Sequence, residues 1–180
     1  SVAVKIRRMF NLYANVRPCH SLPSVDSLRP DIALVVVREN TEGLYSGAEF
    51  EVAPGVGVAM RIITREASMR IAEFALKLAS KRRKRLTYVH KGNVLKITDG
   101  IFKNAVKEAA AKYPEVALEE LHVDAAAMQL IKRAESFDVI VTTNLFGDIL
   151  SEGVMRASQK IGGKAAECAI YTMKGNTPRG

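Results

Sequence analysis

The sequence predicts an α/β layered domain, because three patterns coincide along its 180 residues. Apolar runs of strand length alternate with stretches of helical periodicity. One run, Ile32 to Val37, is continuous and rich in β-branched residues, as in a strand buried on both faces. The composition, 48% apolar and 26% charged, supplies a real core, and with few aromatics and no tryptophan that core must be mostly Val, Ile, Leu and Ala.

Taken in order, Val4, Ile6, Met9, Phe10 and Leu12–Tyr13 form a loose helical stripe. Residues 18–30 hold three prolines and several serines and read as a loop. The Ile32–Val37 strand then runs into Arg38-Glu39-Asn40-Thr41-Glu42-Gly43, a polar stretch at the strand's carboxyl end, where α/β sheets carry ligand-binding loops. Weak alternation over 48–63 around Pro54-Gly55-Val56-Gly57 suggests a hairpin-like arm. Thr64 is a good N-cap for a helix through about Lys81, with Ile71, Phe74, Ala75 and Leu78 on one face. A strand follows at Leu86–His90. Thr98 or Asp99 caps a second helix that stops before Pro114. Val116–Val123 and Phe137–Thr143 read as strands, Ala125–Lys132 as a short helix, and a last helix opens near Gly147. The tail from about Gly162 reads as poorly packed, with Ala169–Met173 as an added edge strand.

No apolar run approaches the roughly 20 residues of a membrane helix. The first residues lack a signal peptide's apolar stretch and an initiating Met, so the chain is expected to begin part-way through a longer product or to be processed. Cys19 and Cys168 make neither a disulfide framework nor a metal-ligand spacing, and a reducing, cytoplasmic setting is the simplest reading. The net charge of +8 favours an anionic partner. The basic run Lys81–Arg85 follows a helix, where cations meet the negative end of the dipole, and no aromatics interleave with it. A small polyanion therefore suits the charge better than nucleic acid.

Asp148 and Glu152 stand four residues apart, on one helix face, and their hard oxygens suit Mg²⁺ or Mn²⁺; a solvated helix N-terminus would also favour such carboxylates. Lys91, just past a buried strand, is either a desolvated base or a surface turn lysine. Asp124 by itself reads as a helix cap. Arg7, Arg17 and Arg38 would bind a di- or tricarboxylate if they converge.

Five ordered stretches, Leu12–Pro18, Arg38–Tyr45, His90–Lys96, Val123–Leu130 and Thr143–Ser151, resemble the metal-dependent β-decarboxylating dehydrogenases, the family of isocitrate, homoisocitrate and 3-isopropylmalate dehydrogenases. The resemblance implies the small substrate and dimerisation domain of the isopropylmalate dehydrogenase-like fold, with its β-arm near 48–63, over residues 1–152, and a divergent tail over 153–180. It also implies oxidative decarboxylation of a 2-hydroxy acid with Mg²⁺ or Mn²⁺ and NAD or NADP. Arg7, Arg17 and Arg38 match the arginines that bind substrate carboxylates, and Ser1 a serine that contacts the extra carboxylate of isocitrate-type substrates. Tyr45 matches the general acid, Lys91 the lysine assisting deprotonation of the hydroxyl, and Asn93 a cofactor-binding position. Asp124, Asp148 and Glu152 fall on metal-ligand positions, with Lys91 and Asp124 donated across a homodimer. Helices over Arg65–Leu78 or Thr98–Lys112 are expected at that interface.

Three departures stand beside the resemblance. The family's N-terminal Gly-Asp-Gly-Ile-Gly-Pro strand and its His-Gly-Ser-Ala-Pro-Asp nucleotide loop have no match here, so most of the large nucleotide domain is expected to be missing. Glu152 stands where aspartate is usual, and Ala3 where isocitrate-type enzymes commonly carry asparagine. The alternative to an enzyme is accordingly a dimerising module that at most binds metal and hydroxyacid.

Overall fold

The computed structural model describes residues 2–21, 32–157, 166–168 and 171–174. Helix α1 (Val2–Met9) leads into β1 (Leu12–Ser21) and β2 (Ala33–Glu39). The arm follows as β3 (Glu49–Ala53) and β4 (Val56–Ala59). Then come α2 (Arg65–Ser80), β5 (Arg85–His90), α3 (Thr98–Ala110), β6 (Ala117–His122), α4 (Val123–Arg133), β7 (Val139–Thr142) and α5 (Asn144–Ala157). Two short strands, β8 (Ala166–Cys168) and β9 (Tyr171–Lys174), end the described chain.

One sheet runs in the order β6-β5-β7-β2-β1-β8, with β9 also on β1. Its first four strands are mutually parallel, and β1 turns antiparallel against β2. The central strands β2 and β7 are buried on both faces, which is why each carries a continuous apolar run, whereas the edge strand β6 is largely exposed. On one face Val35, Val37, Leu86, Tyr88, Val139 and Val141 meet Ile71, Ala75 and Leu76 of α2 and Phe102 and Val106 of α3. On the other, Leu34, Val36, Val89 and Ile140 meet Ala126 and Leu130 of α4 and Leu150 and Val154 of α5. Each buried Leu or Ile contributes about 1.5–3 kcal/mol. The arm stands away from this core, with every residue of β3 and β4 exposed.

The α/β expectation, the arm and the Thr64 cap hold: the Thr64 side chain accepts the Ala67 N–H. Several local readings change. The N-terminal stripe is not one helix, because α1 stops at Met9, Asn11 takes φ 48, and Leu12–Tyr13 already belong to β1. Residues 18–21 of the expected loop belong to β1, which continues through Ser21, and its remainder lies outside the described residues. Pro18, with no N–H to donate, falls between the part of β1 that pairs with β8 and the part that pairs with β9. Neither Thr98 nor Asp99 caps α3, whose N-cap is Ile97 without a side-chain bond. Asp124 likewise sits inside the first turn of α4, with His122 as N-cap. Helix α5 opens at Asn144, earlier than Gly147.

The basic run is partly built into the fold. Arg82 Nε donates to Asp138 Oδ1 at 2.8 Å and the Arg83 N–H to Asp138 Oδ2 at 2.8 Å. Asp138 is fully buried, so these arginines supply the charge its carboxylate needs to be there at all. Among the described residues no helix is long and apolar enough to cross a membrane.

Candidate functional site

The parallel strands β2, β5, β6 and β7 all end at one edge of the sheet, and β1, running the other way, begins there. Their ends therefore gather Arg38, His90–Lys91, His122–Asp124 and Thr142–Asn144 with Asn15 and Arg17 of β1.

Asp148, in α5, is the hub. Arg17 Nη2 reaches its Oδ1 at 3.0 Å, Arg38 Nη1 donates to the same oxygen, and the Tyr45 hydroxyl donates to Oδ2 at 2.8 Å. Arg17 and Arg38 thus converge on one point, which no sequence spacing could establish. Three further donors are aimed by neighbours: Arg17 Nε by Asn15 Oδ1 at 2.9 Å, Arg17 Nη1 by the Ser151 hydroxyl, and Arg38 Nε by Asn144 Oδ1 at 2.9 Å. Tyr45 also lies under the Arg38 guanidinium, 5.0 Å from carbon to ring centre. Gly147 lets α5 approach this closely, because a Cβ there would stand 2.7 Å from Arg38 Cβ and Cγ.

Charge is unbalanced in this cluster. Burial pushes the Arg38 pKa down, Asp148 partly restores it, and Arg17 and Arg7 depress it again. Burial tends to raise Asp148, but the Tyr45 hydrogen bond with Arg38 and Arg17 holds it below the ordinary carboxylate value. Arg7, Arg17 and Arg38 against the one carboxylate of Asp148 leave net positive charge in this corner. Tyr45 is pushed up by burial and by Asp148, so it keeps its proton at neutral pH.

Lys91 and Asp124 form a second, separate group. Lys91 Nζ meets Asp124 Oδ1 at 2.8 Å, and the Asp124 side chain is 68% exposed. Lys91 itself is held by its backbone. Its N–H donates to Asp99 Oδ2 at 2.6 Å, while buried Asp99 is paired with Arg61 Nη2 at 2.6 Å. The Gly92 N–H donates to His90 Nδ1 at 2.9 Å, which leaves the other ring nitrogen facing Glu120 at 3.1 Å. Burial lowers the His90 pKa despite that carboxylate. Glu120 itself is pushed down to about 2: partial burial raises it, but Lys103, Tyr88 and Lys107 outweigh that.

The structure brings Arg17, Arg38, Tyr45 and Asp148 together, with Arg7 half-buried nearby. Glu152 is exposed one turn along α5, and Asn93 is exposed in the turn after β5. Ser1 lies outside the described residues. Among the described residues no three His, Cys, Asp or Glu side chains gather as a metal cluster, so Asp124, Asp148 and Glu152 do not meet within one chain. Sequence reasoning missed Asn144, Ser151, Arg61 and Asp99. The first two were legible: Asn144, Asp148 and Ser151 recur at helical spacing, so one face of α5 serves both arginines.

The comparisons with known proteins follow this geometry. The pattern of the isocitrate/isopropylmalate dehydrogenase family matches residues 2–163. A 3-isopropylmalate dehydrogenase of Methanothermobacter thermautotrophicus is 52% identical over 163 residues, 90% of this chain and 48% of that protein. Catalytic subunit 6 of the mitochondrial NAD isocitrate dehydrogenase of Arabidopsis thaliana is 47% identical over 84% of this chain and 41% of its own length. A crystal structure of isocitrate dehydrogenase from Methylococcus capsulatus aligns with TM-score 0.85 and 40% identity, covering 93% of this chain and 53% of that one. The chain spans about half the length of the curated relatives it matches.

Proposed function

This chain belongs to the isocitrate/isopropylmalate dehydrogenase family, and on that premise we propose that it supplies the substrate half of a decarboxylating dehydrogenase acting on a 2-hydroxy polycarboxylate. The convergence of Arg17 and Arg38 on Asp148, beside a protonated Tyr45, is the observation that carries this reading.

Arg7, Arg17 and Arg38 bind and orient the substrate carboxylates through charge-assisted, two-pronged hydrogen bonds. Ser1 and the Arg38-Glu39-Asn40-Thr41 form favour isocitrate or homoisocitrate; 3-isopropylmalate, named in the Methanothermobacter relative, is the competitor. Asp148, 35% exposed, and the solvent-facing Glu152 one turn on offer hard oxygens that fit Mg²⁺ or Mn²⁺. Asp124 of a second copy completes the carboxylate set. A bound cation would polarise the hydroxyl and its neighbouring carboxylate, and NAD or NADP, for which Asn93 is the candidate contact in this chain, would supply the hydride acceptor. Lys91 of the second copy assists removal of the hydroxyl proton. Tyr45 returns a proton to the carbon that carbon dioxide leaves.

The site so described needs a homodimer, and the exposed apolar side chains support two surfaces for it. Helices α2 and α3 bury their apolar faces on the sheet. Met128, Ile131 and Ile149 instead stand exposed on α4 and α5, and Phe50, Val52, Val56 and Val58 on the arm. We assign the interface to those two surfaces, in place of α2 and α3. A solvent-facing Asp124 at the start of α4 is then within reach of a neighbour's Asp148. A cytoplasmic setting belongs to the same proposal.

Calorimetric titration of the chain with isocitrate, homoisocitrate and 3-isopropylmalate, each with and without Mn²⁺, tests the function. Metal-dependent heat with one acid is expected. Silence with all three from folded protein would leave a dimerising module without the binding function.

A further inference from the structure

We propose that Cys19 and Cys168 form a thiol–disulfide exchange pair that fastens the C-terminal segment to the strand carrying Arg17. They are the two cysteines of the chain, and nothing in their sequence spacing pairs them. The strand register does. Cys19 lies directly opposite Cys168 in the antiparallel β1–β8 pairing, flanked by His20 opposite Glu167 and Ser21 opposite Ala166. The next segment keeps the same register, with Val16 opposite Tyr171 and Asn15 opposite Thr172. Two paired stretches in one register fix the opposition, since a slip of one residue would have to break both.

Directly opposed residues of antiparallel strands have Cα atoms about 4.5–5.5 Å apart, inside the range of about 4.4–6.8 Å that disulfides span. The register therefore meets the backbone spacing that a bridge requires. Cys19 is 1% exposed, in one core cluster with Leu150 and Val154 of α5, whereas β8 is an edge strand of the sheet. That asymmetry sets the order of steps. The Cys168 thiolate attacks one sulfur of a small disulfide such as oxidised glutathione, forming a mixed disulfide and releasing one glutathione thiol. The Cys19 thiolate then attacks the Cys168 sulfur and releases the second glutathione thiol. Two protein thiols are oxidised, one small disulfide is reduced to two thiols, and the two protein protons end on the glutathiones. Strand periodicity places Cys19 on the same sheet face as Arg17, so the bridge secures β8 to the strand that presents Arg17 to Asp148.

The test is equilibration of the chain in glutathione buffers of rising oxidised fraction, followed by acid quench, alkylation, intact mass and a non-reducing peptide map. The expected product is a single chain, not cross-linked to another and two hydrogens lighter, with the Cys19 and Cys168 peptides linked and amide exchange across 166–174 slowed several-fold. Cys168→Ser is expected to lose both the link and the slowing. Mixed disulfides alone, cross-links between chains, thiols that stay alkylatable in the most oxidising buffer, or a bridge with unchanged exchange across 166–174 would each overturn the proposal.

Discussion

Two charged groups sit at the mouth of the same sheet and are built on opposite plans. Around Asp148, the Arg17 and Arg38 side chains are only 6% and 1% exposed, and each has donors fixed by further side chains. Lys91 and Asp124 share a single side-chain contact, 26% and 68% exposed. Buried pairs carry a large penalty when one partner is removed, whereas exposed pairs contribute little. The first group is therefore part of this chain's own fold. The second is positioned through its backbone, by Asp99 and His90, while its charged ends are left facing outward. A charged pair that is held firmly yet stabilises little is suited to act on something outside the chain, which is why we assign it to the site of a second copy.

The largest effect expected from breaking this contrast comes from Asp148→Ala. It strands two buried guanidiniums and should lower stability by about 2–4 kcal/mol in urea titration, less than a fully buried case because Asp148 is partly open to water. In added salt, Asp124→Ala should leave the urea midpoint unchanged; equal losses in both variants would erase the contrast. Gly147→Ala comes next. Its new Cβ presses on Arg38, at an expected cost of about 1–3 kcal/mol read as a lower Tm. Tyr45→Phe removes one hydrogen bond to Asp148 and should cost about 1 kcal/mol in the same titration.

A pH series sharpens the comparison further. A carboxylate whose pKa is lowered in the fold stabilises it above the unfolded value and loses that contribution as pH falls through the lowered one. Asp148 should act this way below its ordinary 3.8, and Glu120 from 4.5 down towards about 2. Asp148→Asn should flatten that acid limb even in high salt. Asp124, also held low by Lys91 but fully solvated, should contribute a slope that salt screens away. Lys91→Met is the smallest perturbation to the fold, with no expected change in Tm and loss only of function assembled with a second copy.

The layered architecture was readable because strands buried on both faces leave an unmistakable apolar run, as in Val35, Val36 and Val37, and because helix caps such as Thr64 act locally. The candidate site residues were readable through resemblance of ordered motifs. What escaped depends on distant partners. Asp99 has the composition of a cap, yet Arg61, thirty-eight positions away, draws it into the core beneath Lys91. The basic run looked solvated because its counter-charge, Asp138, comes from the start of a strand far along the chain. The pairing of Cys19 with Cys168 required a strand register.

The most direct measurement mixes two variants, Arg7→Glu and Asp124→Asn, and titrates the mixture with the acid and Mn²⁺ that the wild-type chain binds. Each variant alone lacks one half of every site. Mixed dimers hold one complete site, made from Arg7 and Asp148 of one copy and Lys91 and Asp124 of the other. The account predicts that binding absent from both parents returns on mixing, at one site per mixed dimer. A mixture as silent as its parents, or an Asp124→Asn parent that binds as well as wild type, would contradict the assembly of the site from two chains.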